Sequence, residues 1–380
     1  MKLSHISAGL TAIIVGYSSS VVLVIQAAQA SGASAAQITS WLLVLGVTMG
    51  ATSIALSMAY KMPILTAWST PGASFLIASA SGLSIEQSTG AFIVAGSLIM
   101  LSGFFKPLAI AIEKIPPALG AAMLAGILLK LGLGAFTPLT DYPLLCLVFY
   151  AVYLLGRLYF STYLMLVLLV VGGIAAALMV DLGPSLTLTM ASVEFVRPVF
   201  EVSAITTVAI PLFLISMLSQ NLPGLAILQG HGYKPPTQNV LRSTGLINAL
   251  SAPFGGFTCN LAAITAAICM SEEVDKDKQQ RYKAAVAGGG FYILAGIFAS
   301  TVVAVFTAMP IVITQLLAGL ALLATIQVSL EKSFAVDSHK EAALLTLLVT
   351  ASGVSIVGLS APILGLIAGL LFLAAKKLQQ

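Results

Sequence analysis

The most informative parts of the sequence are two short stretches, PILTAWSTPGASF at residues 63–75 and PFGGFTCNL at residues 253–261. Each stretch interrupts a long apolar run with proline and glycine. Pro63 and Pro253 disfavour the continuation of a helix, and the glycine pair in the second stretch permits an extended backbone. The pattern predicts that an extended segment replaces the helix at both places.

A short helix is predicted to follow each extended segment. Ser69 or Thr70 can cap the first helix, because either side chain accepts a hydrogen bond from a free N–H group at a helix start. The next residue, Pro71, suits a first helical turn. Thr258 or Asn260 can cap the second helix in the same way.

The composition around these breaks is that of a membrane protein. Of 380 residues, 59% are apolar and 8% are charged, and the mean hydropathy is +1.05. A soluble domain carries roughly 25% charged residues, so lipid is the expected outer solvent. This excludes a cytoplasmic enzyme, a nucleic-acid-binding protein and a small secreted domain held by disulfides. The three cysteines have no metal-ligand spacing, and no metal or cofactor is predicted.

The chain divides into seven apolar runs, a polar connection and seven further runs, which gives about 14 transmembrane segments. The runs lie near residues 6–29, 38–60, 64–80, 88–105, 116–136, 142–156, 160–180, 204–228, 238–252, 255–270, 284–308, 310–330, 341–357 and 360–375. The first run also resembles a secretory signal with a cleavage site at Ala28-Gln29-Ala30, but its internal Tyr17 and Gln26 favour a retained helix.

The basic residues indicate the orientation. With the N-terminus in the cytoplasm and alternating crossings, nearly all of the 17 Lys and Arg residues fall on the cytoplasmic side. Arg197 falls outside, and Lys130 lies within a span, where it can extend towards the interface. Both termini are therefore predicted to be cytoplasmic.

The number of runs in each half predicts an inverted repeat. Two consecutive halves with an odd number of spans have opposite orientations, and each half has its break in the third run. The predicted fold is an all-α integral membrane protein of about 14 transmembrane segments in two inverted seven-span repeats. Its third and tenth spans are each a short strand plus a half-helix.

The breaks also predict a binding site. Two half-helices that start near the membrane midplane would direct free N–H groups and positive dipole ends at one another. Such a site can bind an anion without the help of an Arg or Lys side chain. The alternative is a pair of Pro/Gly kinks that bind no ligand. Gln220 and Asn221, in the eighth run, are costly in lipid unless they have partners. They suit either a ligand or a hydrogen bond between helices.

Further site candidates lie in the first run and beside the breaks. Tyr17 and Ser19 place polar groups in the membrane, while Trp68 and Phe257 could hold a flat ring between them or simply pack. No Asp or Glu falls clearly inside a span. The histidines, which are His5, His231 and His339, map to the cytoplasmic side and are expected to be solvated, as is the charged loop at residues 271–283.

Three segments resemble one family of carriers. Residues 216–236, SMLSQNLPGLAILQGHGYKPP, residues 252–268, APFGGFTCNLAAITAAI, and residues 67–75, AWSTPGASF, are similar to the benzoate/proton symporter family, BenE. The resemblance covers essentially the whole chain. BenE proteins are in turn similar in architecture to uracil-permease-like carriers with a seven-plus-seven inverted repeat.

The resemblance implies a division into a core domain and a gate domain. The core domain would comprise residues 1–105 and 204–308, the gate domain residues 106–181 and 309–380, and an extracytoplasmic connection residues 182–203. It also implies that Ser69, Thr70, Thr258 and Asn260 form the strand–helix junctions and that Gln220 is the polar position of the eighth span. The nucleobase carriers have acidic residues in spans eight and ten; this chain has none there, which argues against a nucleobase.

The implied function is uptake of benzoate or a similar aromatic carboxylate with protons, by movement of core against gate in the cytoplasmic (inner) membrane of a bacterium. The same fold carrying another small anion or a nucleobase, or a channel, is an alternative. An intramembrane enzyme is disfavoured, because the sequence has no H-E-x-x-H or G-x-S-x-G motif. The expected partners are the substrate, protons and lipid, with no nucleic acid, and a homodimer is left open.

Overall fold

The computed structural model describes residues 1–80, 82–179, 190–356 and 358–378. The first half contains α1 Leu3–Ala30, α2 Ala35–Tyr60, β1 Thr66–Trp68, α3 Thr70–Ser79, α4 Ile85–Phe104, α5 Lys106–Glu113, α6 Pro117–Leu133, α7 Pro143–Tyr159 and α8 Leu164–Met179. The second half contains α9 Val202–Gly230, α10 Thr237–Ser251, β2 Cys259–Leu261, α11 Ile264–Met270, α12 Tyr282–Ile297, α13 Ala299–Ala308, α14 Ile311–Ser333, α15 Lys340–Ser352 and α16 Ala361–Leu378.

The protein is mainly helical, with several apolar helices of membrane-spanning length. Within the described ranges, 7 helices are long and apolar enough to cross a membrane, or up to 8 if α12 and α13, which meet at a 60° bend, form one span. Helices α7 and α8 are apolar but shorter. The predicted count of fourteen spans includes such shorter and broken segments and stays a prediction.

Both predicted breaks are strands followed by short helices. β1 and β2 pair in an antiparallel ribbon with the register Thr66↔Leu261, Ala67↔Asn260 and Trp68↔Cys259. Two flanking backbone hydrogen bonds extend the ribbon: Ser69 N–H donates to the Thr258 carbonyl over 3.2 Å, and Ala262 N–H donates to the Leu65 carbonyl over 2.9 Å. Segments far apart in the chain therefore satisfy each other's backbone, as extended chain inside a membrane requires.

The two half-helices begin differently. Ser69 caps α3, since its Oγ accepts from Gly72 N–H over 2.9 Å, and Pro71 lies in the first turn, as the sequence predicts. The prediction that Thr258 or Asn260 caps the second helix is wrong. Helix α11 begins at Ile264 without a side-chain cap, because pairing with β1 keeps residues 259–261 extended.

Helix packing separates two groups. In the first group, α2 packs along α12, α4 packs along α10, and α1 contacts α3 and α12. In the second group, α6 packs against α14 and α15, and α15 packs against α16. Glycines bring the backbones of the first group together: a Cβ atom on Gly289 of α12 would lie 2.7 Å from the Gly50 carbonyl oxygen of α2. Such contacts are typical of helix packing in lipid.

An extended segment, residues 190–201, crosses the ends of first-group helices. Val196 N–H donates to the Pro253 carbonyl over 2.7 Å, and Val199 N–H donates to the Glu86 carbonyl over 2.9 Å. These bonds fasten the segment to the start of α4 and to the turn after α10. The rest of the predicted connection, up to residue 189, lies outside the described residues.

The prediction that His5 is solvated is wrong. His5 is buried, and its Nε2 lies 3.0 Å from Oδ2 of Asp275, which also pairs with Lys2 Nζ at 2.8 Å. The Lys2 ammonium holds the pKa of Asp275 at about 2, well below its usual range, helped by the backbone N–H of Asp277. The loop at residues 271–283 is thus tied to the start of α1, because an imidazole and a carboxylate buried together satisfy each other.

Candidate functional site

Two serines of α2 satisfy the free edge of β1. Ser53 Oγ accepts from Thr66 N–H over 2.9 Å. One turn further, Ser57 Oγ accepts from Ile64 N–H over 3.1 Å and donates to the Ile64 carbonyl over 3.0 Å. All of these groups are buried. The side chains replace the water that an extended backbone would otherwise need.

Asn248 of α10 forms hydrogen bonds with the free edge of β2. Its Oδ1 accepts from Cys259 N–H over 2.6 Å, and its Nδ2 donates to the Cys259 carbonyl over 3.1 Å. Asn248 is not among the site residues predicted from the sequence. The available signal was an asparagine in the apolar second half of the run at residues 238–252, where it is costly in lipid without a partner.

Asn221 of α9 holds the end of β2. Its Oδ1 accepts from Leu261 N–H over 3.1 Å, and its Nδ2 donates to Asn260 Oδ1 over 3.2 Å. Of the two interpretations of the Gln220-Asn221 pair, the hydrogen bond between elements therefore describes Asn221. Gln220 lies half-buried in the same turn of α9.

The aromatic residues near the breaks are arranged differently from the predicted ring sandwich. Trp68 lies against Tyr17 of α1, with ring centroids 5.0 Å apart, and its Nε1–H donates to Ser20 Oγ over 2.7 Å. Phe257 instead stacks on Trp41 of α2 at 5.6 Å. The cause is the turn at Gly255, whose φ of 105° directs the chain against the Trp41 side chain.

The remaining predicted positions differ in their surroundings. Ser19 is half-buried, and its hydroxyl donates to the Gly16 carbonyl of its own helix over 3.0 Å, which leaves its oxygen as an acceptor. Thr70 is half-buried in the first turn of α3. Thr258 precedes β2 and is fully buried.

Buried polar atoms without a partner concentrate around the ribbon. Burial of an unpaired donor costs about 1–3 kcal/mol, so such atoms in a native protein indicate a ligand, an ordered water or strain. In this region the unpartnered atoms are Tyr17 OH, Ser74 Oγ, Ser216 Oγ, Ser219 Oγ, Thr258 Oγ1 and Asn260 Nδ2. Every one is a hydroxyl or an amide N–H, and none belongs to a charged side chain.

A concave feature elsewhere in the protein lacks this chemistry. An open cleft of about 400 Å³ lies between the loop after α6 and the start of α14, and its lining includes Asp141, Tyr142, Pro310 and Gln315. Among its described lining residues, no buried polar atom is unpartnered. The ribbon and the start of α3 therefore form the candidate site.

An unwound crossing beside a half-helix start is the site architecture of membrane carriers. The fold and the site together define a membrane transport protein. Residues 1–375 match the family described as BenE, benzoate membrane transport protein, and the chain belongs to this family. This is a transporter family and not an enzyme family, as the sequence predicts.

Two relatives and one solved structure are similar over nearly their full lengths. The chain is 40% identical to inner membrane protein YdcO of Escherichia coli over 363 residues, covering 95% of this chain and 93% of YdcO. It is 34% identical to the benzoate membrane transport protein of Acinetobacter baylyi over 374 residues, covering 97% and 94%. The transmembrane domain of the cyanobacterial bicarbonate transporter BicA superposes with a TM-score of 0.65 at 14% identity, covering 97% of each chain. That last likeness concerns the fold alone.

Proposed function

We propose that this protein imports benzoate or a similar aromatic monocarboxylate together with protons across the inner membrane. The observation that carries the proposal is the group of buried, unpartnered, uncharged donors around the ribbon. Hydroxyl and amide donors stabilise a carboxylate, and α3 adds the positive end of its dipole. The names of the family and of the Acinetobacter relative support benzoate as the substrate.

The proposed architecture is a pair of inverted seven-span repeats. The packing supports it, because the pairs α2–α12 and α4–α10 would exchange places under such a repeat. The helices that form hydrogen bonds with the ribbon would exchange too, because α2 bonds to the free edge of β1 and α10 bonds to the free edge of β2.

The proposed mechanism is alternating access by movement of core against gate. The core domain comprises residues 1–105 and 204–308, and the gate domain comprises residues 106–181 and 309–380. Residues 182–203 connect the halves on the outer side. The described part of this connection bonds to the core alone, which fits a core that moves as one body. Lipid, or a second copy of the chain in a homodimer, would cover the exposed apolar faces of α7 and α8.

Uptake of labelled benzoate into proteoliposomes tests the proposal. We expect saturable uptake that an inward proton gradient stimulates, and counterflow when the vesicles contain unlabelled benzoate. Liposomes without protein are the control. Uptake without saturation or counterflow would indicate a channel. Saturable uptake of bicarbonate or a nucleobase but not of benzoate would keep the carrier and replace its substrate.

Gln220→Ala is expected to weaken benzoate binding while the protein stays folded. Loss of one hydrogen bond, worth about 0.5–1.5 kcal/mol, corresponds to a rise in Kd of roughly 2–10-fold. Isothermal titration calorimetry on the purified protein measures this Kd for benzoate. Gln229→Ala, at the exposed end of the same helix, is the matched control and should bind as the wild type does. An unchanged Kd for Gln220→Ala would remove Gln220 from the site.

The proposed orientation places both termini in the cytoplasm and residues 190–201 outside. A cysteine at Val193, which is 55% exposed, should react with a membrane-impermeant maleimide added to intact cells. A cysteine at Glu272 should react only after the cells are opened. The native cysteines are buried and give little background. The reverse labelling pattern would overturn the orientation.

A further inference from the structure

The orientation of the Asn260 side-chain amide is fixed by its neighbours. A backbone N–H can only donate, so the Asn221 atom 3.1 Å from Leu261 N–H is the carbonyl oxygen. The other end of the same amide is then the NH₂ group, which donates to Asn260 across 3.2 Å. The Asn260 atom that receives this bond is its oxygen. Asn260 therefore presents its own NH₂ group away from Asn221.

That NH₂ group belongs to the candidate site. Asn260 is fully buried, and its Nδ2 has no partner. Opposite residues of an antiparallel pair lie on the same face of a ribbon, so Asn260 shares its face with Ala67, the one ribbon residue that is only half-buried. The neighbours Cys259 and Leu261 alternate to the other face. The unpartnered Oγ1 of Thr258 adds a hydroxyl next to the ribbon.

A donor held in this way discriminates between ligands of the same shape. We propose that Asn221 is a positioning residue that keeps Asn260 an N–H donor, and that this makes the site select carboxylates over the corresponding amides. The inference rests on the proposed function, because it assigns the selectivity of that same site. A carboxylate offers two acceptor oxygens, one for the fixed N–H and one for the positive end of the α3 dipole, whereas benzamide has a single oxygen and must turn its NH₂ group, a donor, towards one of the two.

Binding of benzoate and benzamide to two Asn221 variants tests the proposal, with the ratio of the two Kd values as the readout. In Asn221→Ala nothing fixes the Asn260 amide, and the preference for benzoate should fall about tenfold or more. In Asn221→Asp, assayed at pH 8 to favour the carboxylate form, an acceptor faces Asn260. The amide should rotate and present its oxygen, so benzamide should bind more tightly than to the wild type while benzoate binding weakens.

Two measurements separate this role from structural damage and from added charge. Damage to β2 would weaken the binding of both ligands by the same factor and leave the ratio of the two Kd values unchanged. That result would overturn the proposal. Gln229→Glu adds a carboxylate to the exposed end of the same helix, outside the site, and should leave both Kd values as they are in the wild type. If benzamide does not bind Asn221→Asp more tightly than it binds the wild type, the proposal is also overturned.

The outcome for the wild type distinguishes the two proposals. Benzoate binding with an unaltered ratio in both Asn221 variants would overturn the selectivity role and keep the proposed function. A wild-type protein that binds none of benzoate, salicylate, nicotinate and bicarbonate would overturn both.

Discussion

Asn248→Leu is expected to remove most of the folded protein from the membrane. The substitution deletes both hydrogen bonds to Cys259 and leaves a buried N–H and a buried carbonyl without partners. At about 1–3 kcal/mol for each group, the loss is roughly 2–6 kcal/mol, a large share of the roughly 5–15 kcal/mol that stabilises a typical fold. Size-exclusion chromatography of the solubilised protein should show aggregate in place of a single symmetric peak.

The matched control is Asn239→Leu on the same helix. Asn239 is exposed and donates only to the Tyr60 hydroxyl over 3.0 Å. This variant should elute and melt close to the wild type. A well-folded Asn248→Leu protein with an unchanged melting temperature would show that the ribbon does not depend on α10.

Gly289→Leu is the second change with a large expected effect. A Cβ atom at this position would lie 2.7 Å from the Gly50 carbonyl oxygen and 2.7 Å from Ile54 Cγ1. Backbone atoms cannot rotate away as a side chain can, so α2 and α12 would have to separate along their length. Overpacking of a core by a few methylene groups already costs about 1–3 kcal/mol, and this substitution moves a helix as well. We expect a fall in melting temperature of more than about 10 °C, or no folded protein.

The adjacent glycine provides the control. A Cβ atom on Gly290 would meet no other atom within 4 Å, and leucine favours a helix over glycine by up to about 1 kcal/mol. Gly290→Leu should therefore fold at least as well as the wild type. Equal damage from the two substitutions would contradict the close approach of α2 and α12.

The breaks were predictable because their causes are local. Pro63 and Pro253 act on their own turns of the chain, and the cap at Ser69 lies within three residues of the N–H that it satisfies. The start of α11 was not predictable in this way. Whether residues 259–261 are helix or strand depends on β1, which lies just over half of the chain away. Thr258 and Asn260 are good capping residues, but the pairing with β1 takes precedence over capping.

The same reasoning explains the uneven outcome for the site. The sequence identified polar residues that are costly in lipid, and Asn221 and Asn260 do meet at the ribbon. It could not distinguish a residue that binds ligand from one that holds backbone, because Asn serves both roles equally well. Trp68 is the last residue of β1, whereas Phe257 lies two residues before β2, and their neighbours differ accordingly: Trp68 contacts Tyr17 and Phe257 contacts Trp41. The pairing of His5 with Asp275 has no local signal, since the two residues are 270 positions apart in the chain.

Two pairs of contacting segments lie far apart in the sequence: β1 with β2, and His5 with Asp275. This distance affects the order in which the contacts can form during synthesis. Helix α1 leaves the ribosome long before Asp275 exists, and β1 enters the bilayer long before β2 can pair with it. Until then the serines of α2 can satisfy only one edge of β1, and water or the insertion machinery must satisfy the other. Chains that stop before β2 should therefore be open to proteolysis at β1, while chains that extend past Asp275 close both contacts at nearly the same moment. The two halves of this protein are therefore expected to depend on each other for folding.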